Sequence, residues 1–140
     1  MERYVYLITP LVAYVITQTT KMVVSLRKDG VQMRDAWSSG GMPSVHTATM
    51  VSLVTIIGLR DGLHSPLFSI VFVLTCIVAY DAVGVRRTAG ETAEAVISLQ
   101  KRVKERRHIL VHAALGHAPS QVAVGAAIGI FVGVILANLL

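Results

Sequence analysis

In the stretch Phe68–Arg87, FSIVFVLTCIVAYDAVGVRR, thirteen residues pass without a charge before Asp81, and two arginines follow. Extended back to Pro66 the apolar run is long enough to cross a hydrocarbon core roughly 30 Å thick at about 1.5 Å per residue. It predicts a membrane span with Asp81 just inside one end. A carboxylate at that depth is costly unless paired, and Arg86 or Arg87 is the nearest partner in the chain.

The composition agrees. The chain has 140 residues, 54% of them hydrophobic, and a mean hydropathy of +0.64. That leaves room for one domain, residues 1–140, with more apolar surface than a water-soluble domain carries. Two further stretches, Tyr4 to Leu26 and Pro119 to Leu140, have spanning length. A fourth, Pro43 to Leu59, is shorter and carries Ser and Thr in its first half, which predicts burial among the others. Glu2 beside Arg3, with no small-residue cleavage site after the first apolar run, predicts a retained span rather than a signal peptide. Cys76 lies inside the third span, has no second cysteine to pair with, and reads as a small core residue.

The net charge of +5 and isoelectric point near 9.8 raise nucleic acid as a partner, but the distribution of charge argues against it. Eleven of the thirteen Lys and Arg lie in or beside Lys21–Arg34 and Arg86–Arg107. With four spans, those segments share one face. The positive-inside rule makes that face cytoplasmic and puts both termini and the turn Arg60–Ser65 outside. The expected fold is therefore an all-α, polytopic membrane bundle of about four spanning helices with one cytoplasmic amphipathic helix. That last helix is the run from Thr88 to about Arg107, where Ala89, Ala93, Val96, Ile97 and Val103 fall opposite Glu94, Lys101, Arg102 and Lys104. It would lie at the lipid interface or over the site as a lid.

Alternate threading brings four helix ends to that face. Span one delivers Gln18 and Lys21, the latter either snorkelling to the interface or serving a site. A loop with Arg27, Arg34 and Trp37 follows, the Trp as an interface anchor. The next helix is expected to start at Pro43, behind Gly40 and Gly41, with Ser44 and His46 in its first turn. Span three adds Asp81, Arg86 and Arg87. Span four brings His117 and Gln121, with Pro119 at a first helical position. Two helix N-termini among several cations form an anion site, because unpaired N–H groups and the helix dipole both favour negative charge. Gly40 and Gly41 would admit the anion to the backbone, and Ser44 would add a hydroxyl donor. Two histidines there suggest one group that attacks phosphorus and one that protonates the leaving oxygen. A histidine at a helix start is, taken singly, as readily structural. His108 and His112 lack the carboxylate or thiolate companions of a metal site. Gly125, Gly129 and Gly133, four residues apart, form a close-packing stripe, used within the bundle or, as the alternative, between two copies in a homodimer.

Three stretches, GGMPSVHTA, YDAVGVRRTAGETAE and LGHAPSQVAVGAAIG, resemble the signature segments of the divergent branch of the type 2 phosphatidic acid phosphatase and vanadium haloperoxidase superfamily. The resemblance implies an all-helical core and hydrolysis of a lipid phosphate through a phosphohistidine, without metal or other cofactor. It implies His117 as nucleophile, His46 as acid for the leaving group, and Lys21, Arg34 (in preference to Arg27), Ser44, Arg86 and Arg87 around the phosphate. The superfamily arginine six residues before the nucleophile is Val111 in this chain, and Arg86 and Arg87 are the candidates to replace it.

Position 121, one turn after His117, should be acidic in this pattern, and it is Gln. A glutamine carbonyl can orient the ring but brings no negative charge. Asp81, Glu91 or Glu94 could supply it from the neighbouring segment. The expected function is a lipid-phosphate phosphatase acting on a phosphate or diphosphate monoester with its tail in the bilayer. The rivals are a silent phosphate- or lipid-binding membrane protein and a transporter or channel subunit assembled on the glycine stripe. Nothing in a membrane-bound chain speaks for retained vanadate, so a haloperoxidase is disfavoured.

Overall fold

A computed structural model describes residues 4–26, 41–103 and 116–140. They form five helices: α1 (Val5–Leu26), α2 (Val45–Arg60), α3 (Pro66–Val83), α4 (Val85–Val103) and α5 (Pro119–Leu139). No strand occurs among the described residues. Helices α1, α3 and α5 are long and apolar enough to cross a membrane, and α2 is a shorter apolar helix. Arg27, Arg34, Trp37, Gly40, Lys104, His108 and His112 lie outside the described residues.

Local chemistry sets most helix starts. Pro66 and Pro119 sit in the first turns of α3 and α5, where the missing N–H has no helical partner to lose. The Ser65 hydroxyl accepts from Leu67 N at 3.2 Å and caps α3. The expected start of α2 at Pro43 is corrected: the helix begins at Val45 with Ser44 as N-cap. Gly41 turns the chain at φ 82° and Ser44 N donates to the Gln121 carbonyl at 3.1 Å, so residues 41–44 run across to α5 before the helix forms. The fourth helix is also corrected. It starts at Val85 rather than Thr88, separated from α3 only by Gly84, which places Arg86 and Arg87 in its first turn.

Helix α2 is the centre of the bundle and packs on α5, α1 and α3, as its shortness and hydroxyl content predict; α1 also packs on α5. Among the described elements α4 packs on α3 alone, so it does not lie across the ends of the other helices as a lid. The glycine stripe is what lets α5 approach α2. A Cβ on Gly129 would stand 2.5 Å from the Ala48 carbonyl oxygen, one on Gly133 2.7 Å from Thr55 Cβ, and one on Gly125 would collide with the Ser44 carbonyl. All three glycines are buried. The stripe thus serves packing within the chain, and a second copy cannot use it while α2 occupies it.

Hydroxyls inside the bundle bond to their own helix. Thr17 donates to Ala13 O, Thr55 to Val51 O and Thr75 to Val71 O, at 2.6 to 2.7 Å. That habit satisfies polar side chains where water is absent. Thr9, fully buried, is the exception among the described residues, its hydroxyl having no partner. Large apolar side chains point outward instead: Leu7, Leu11, Ile70, Val73, Ile77 and Phe131 are all more than half exposed. Such a surface is stable only against lipid.

The two ends of the bundle differ in chemistry. At one, Tyr6 Oη donates to Asp61 at 2.5 Å and Arg60 donates to the Ala137 carbonyl at 3.4 Å, above an apolar cluster of Val5, Val54, Ile56, Ile57 and Val71. At the other, the end of α1, the start of α2, the end of α3 and the start of α5 converge, held together by Ser44 N to Gln121 O and His117 N to Ala82 O.

Candidate functional site

His117 is the most tightly held group at that convergent end. Its backbone N–H donates to the Ala82 carbonyl at 2.9 Å, fixing the residue to the end of α3. Its ring Nδ1 is 3.1 Å from the Gly41 carbonyl oxygen and 3.2 Å from Gln121 Oε1. A carbonyl oxygen can only accept, so Nδ1 carries the proton and donates. In the neutral ring the lone pair therefore lies on Nε2. Gln121 Oε1 also accepts from Ala118 N at 3.1 Å, as the side chain at the third helical position does in a capping box. One amide oxygen thus closes the N-terminus of α5 and orients the imidazole before it.

Lys21, 6% exposed, enters from the last turns of α1. Its Cε would be 3.6 Å from a Cβ built on Gly41, an ordinary contact. Glycine is needed at 41 for its positive φ, not for space. His46, in the first turns of α2, is exposed, and it lies within electrostatic reach of Arg86, His117, Lys21 and Asp81. Arg86 is tied to Asp81 through Nε at 2.5 Å, which selects it over Arg87 as the partner of that carboxylate.

Other expected members stand elsewhere. Arg87 pairs with Glu91 at 3.1 Å along the exposed side of α4, and neither acts on either histidine. Glu94 is exposed and is likewise absent from the charges felt by the histidines. The Ser44 hydroxyl, expected to meet the anion, is fully buried and shares a hydrogen bond with Thr47 Oγ1 at 2.9 Å. Its backbone N–H is used by Gln121, so Ser44 joins α2 to α5 rather than facing the site. Of the carboxylates expected to replace an acid at position 121, Asp81 reaches His46 electrostatically, and none bonds to His117.

A family profile described as the Divergent PAP2 family matches residues 3–132. The chain belongs to the divergent PAP2 family. It is 34% identical over 114 residues to the uncharacterized membrane protein YuiD of Bacillus subtilis (strain 168), covering 71% of this chain and 72% of that protein. No solved structure matches it significantly. Together with its apolar helices, this makes it an integral membrane protein of that family.

In this family member the electrostatics favour a neutral His117. Burial pushes the imidazole below the ordinary histidine value, its hydrogen bonds to Gln121 and the Gly41 carbonyl pull it partly back, and the positive charges of Lys21 and Arg86 lower it further. The site thus holds a neutral, oriented imidazole beside two cations and a second imidazole.

Three contributors escaped the sequence reading. The Gly41 carbonyl and the Ala82 carbonyl are backbone groups, invisible in residue identities. Gly116 is different: a Cβ there would overlap the backbone of Arg86 and Arg87, so only glycine lets the segment entering α5 lie against the start of α4. A glycine immediately before a motif histidine was the available signal.

Proposed function

We propose that the protein is a membrane phosphatase that hydrolyses a phosphate or diphosphate monoester of a lipid at the end of the bundle where His46 and His117 meet. The observation that carries this reading is the pair of acceptors on His117 Nδ1, which leaves the lone pair on Nε2 of a ring that feels the positive charges of Lys21 and Arg86. Nε2 attacks phosphorus, a P–N bond forms, and the P–O bond to the lipid breaks. His46, with Asp81 as the negative charge among the groups acting on it, gives its proton to the departing oxygen. Water then attacks the phosphohistidine, His46 takes the water's proton, and inorganic phosphate leaves. Lys21 and Arg86 balance the charge on the phosphoryl oxygens throughout. Arg34 is expected to join them, and the active site is expected on the cytoplasmic face, where the basic segments collect.

The test is phosphate release by the purified protein in detergent from phosphatidic acid, phosphatidylglycerophosphate and isoprenyl diphosphates, with acid-labile phosphate trapped on the wild-type chain and absent from His117→Ala. No release from any of them by a folded protein overturns the proposal. Gln121 favours one second reading, a silent phosphate-binding protein, because the imidazolium-like transition state has no carboxylate beside it. Vanadate binding without turnover, with turnover appearing in Gln121→Glu, would select it.

A further inference from the structure

Helices α3 and α5 are tied together where the His117 N–H reaches the Ala82 carbonyl, and farther along they leave an apolar furrow of about 550 Å³ over α2. Every residue that lines it lies within the described segments. Val54, Thr55 and Gly58 belong to its floor. On one wall Phe68 and Phe72 stack with ring centroids 5.8 Å apart, and Ala126 and Ile130 make the other. The inner end stops at Thr75, about 10 Å of helix short of Ala82, so the furrow occupies the half of the bundle away from the histidines. The buried Ser44–Thr47 pair on α2 and the Ala82–His117 bond stand between the two.

We infer that this furrow is a lipid-binding site that takes one hydrocarbon chain of a phospholipid from the leaflet farther from the histidines. Nothing in it depends on the chemistry proposed for His46 and His117. Its lining offers a polar ligand no hydroxyl proton, because Thr55 and Thr75 each donate to a carbonyl of their own helix at 2.7 Å. Its rim is continuous with the surface that faces lipid: Phe72 and Ile130 are about half exposed and adjoin Val73 and Phe131, which point outward. Its floor is recessed, since Val54 and Thr75 are buried.

Length selects the same occupant. From Val51 to Leu59, both in the lining, α2 rises about 12 Å, against roughly 15 Å of hydrocarbon in one leaflet. A chain that enters at the far headgroup level beside Leu63 therefore ends beside Thr75, near the bilayer centre. Such a chain bends to fill a recess whose walls would otherwise lose their van der Waals partners. A helix of a second copy fits less well. Close helix approach in a membrane needs a face of small residues, and Gly125, Gly129 and Gly133 are already covered by α2, whereas this rim presents Phe72 and Ile130.

The experiment places the unmodified protein in vesicles of dioleoylphosphatidylcholine that contain a phosphatidylcholine with a diazirine in one acyl chain, and maps the labelled residues after irradiation. A diazirine near the terminal methyl should label Thr75 and Ala126, and one near the ester should label Leu63 and Phe68. Ala13 and Val132, as deeply buried elsewhere in the bundle, should stay unlabelled. Ala126→Phe, which fills the furrow, should abolish the label on Thr75 and leave that on the outward Ile70 and Phe131 unchanged. Dioleoylphosphatidylcholine added to the detergent-purified protein should also raise Tm more in the unmodified chain than in Ala126→Phe, by mass action on the folded state. Label confined to outward residues, a reversed order along the chain, or equal Tm shifts in both proteins overturns the inference. A disulfide between chains carrying Ile130→Cys in a Cys76→Ser background, with Thr75 unlabelled, would overturn it in favour of a second copy.

Discussion

At His117 a backbone carbonyl would, under the proposed mechanism, take over half the work of the acid expected at position 121. A carboxylate one turn after a nucleophilic histidine fixes the tautomer and stabilises the imidazolium that forms; Gly41 O performs the first task here and cannot perform the second. Gln121→Glu should therefore raise kcat by on the order of tenfold, less than the roughly ten-thousand-fold seen where both tasks are lost together. The same substitution moves the pH profile. Under the proposed mechanism activity requires neutral His117, so it should rise as pH climbs through that residue's pKa, and burial places this acid limb below the ordinary value of about 6.5. A carboxylate at 121 favours the charged ring and shifts the limb upward, readable in kcat/KM against pH. An unmoved limb would detach Gln121 from the ring. Thr9 gives a test of another kind. Its hydroxyl is buried without a partner, so Thr9→Val, equal in shape, should stabilise the fold by about 1 kcal/mol, seen as a higher Tm in detergent.

Element boundaries were legible where a local signal set them. Pro66 and Pro119 open helices because proline at a first turn loses nothing, and the apolar runs between breakers gave the spans within a residue or two. Pro43 failed as the same signal because a tertiary bond, Ser44 N to Gln121 O, delays the helix by two residues. Arg86 and Arg87 precede the helix expected from Thr88, yet α4 begins one residue beyond Gly84, with Arg86 paired to Asp81 and Arg87 to Glu91. The glycine stripe was visible as a stripe, but its partner is a property of packing. Gly129→Ala tests that partner. With only 2.5 Å between the added Cβ and the Ala48 carbonyl, α5 must move off α2, at a cost of about 1–3 kcal/mol. Because His117 rides on α5 and its ring acceptor Gly41 leads into α2, activity should fall with Tm, whereas Ala127→Leu on the exposed side of α5 should change neither.

At the scale of the molecule, the convergence of four helix ends followed from counting spans, and the structure places Lys21, His46, Asp81, Arg86 and His117 at one end as that count requires. Orientation in the membrane rests on a separate argument. The Tyr6–Asp61 and Arg60–Ala137 bonds put the start of α1, the turn after α2 and the end of α5 together at the far end, so one measurement fixes all of them. Among the described residues Arg60 is the cation at the far end, while Lys21, Arg86 and Arg87 stand at or beside the site end. Under the positive-inside rule, which weighs Lys and Arg in short loops, we propose that this basic end faces the cytoplasm. The chain's one cysteine, Cys76, can be replaced by Ser, and single cysteines then introduced as Leu63→Cys in the turn and Thr88→Cys at the start of α4, both exposed positions. A membrane-impermeant maleimide should label Leu63→Cys in intact cells and Thr88→Cys only after the membrane is opened. The opposite pattern would put the histidines on the outer face and require that the basic segments be there for phosphate rather than for topology.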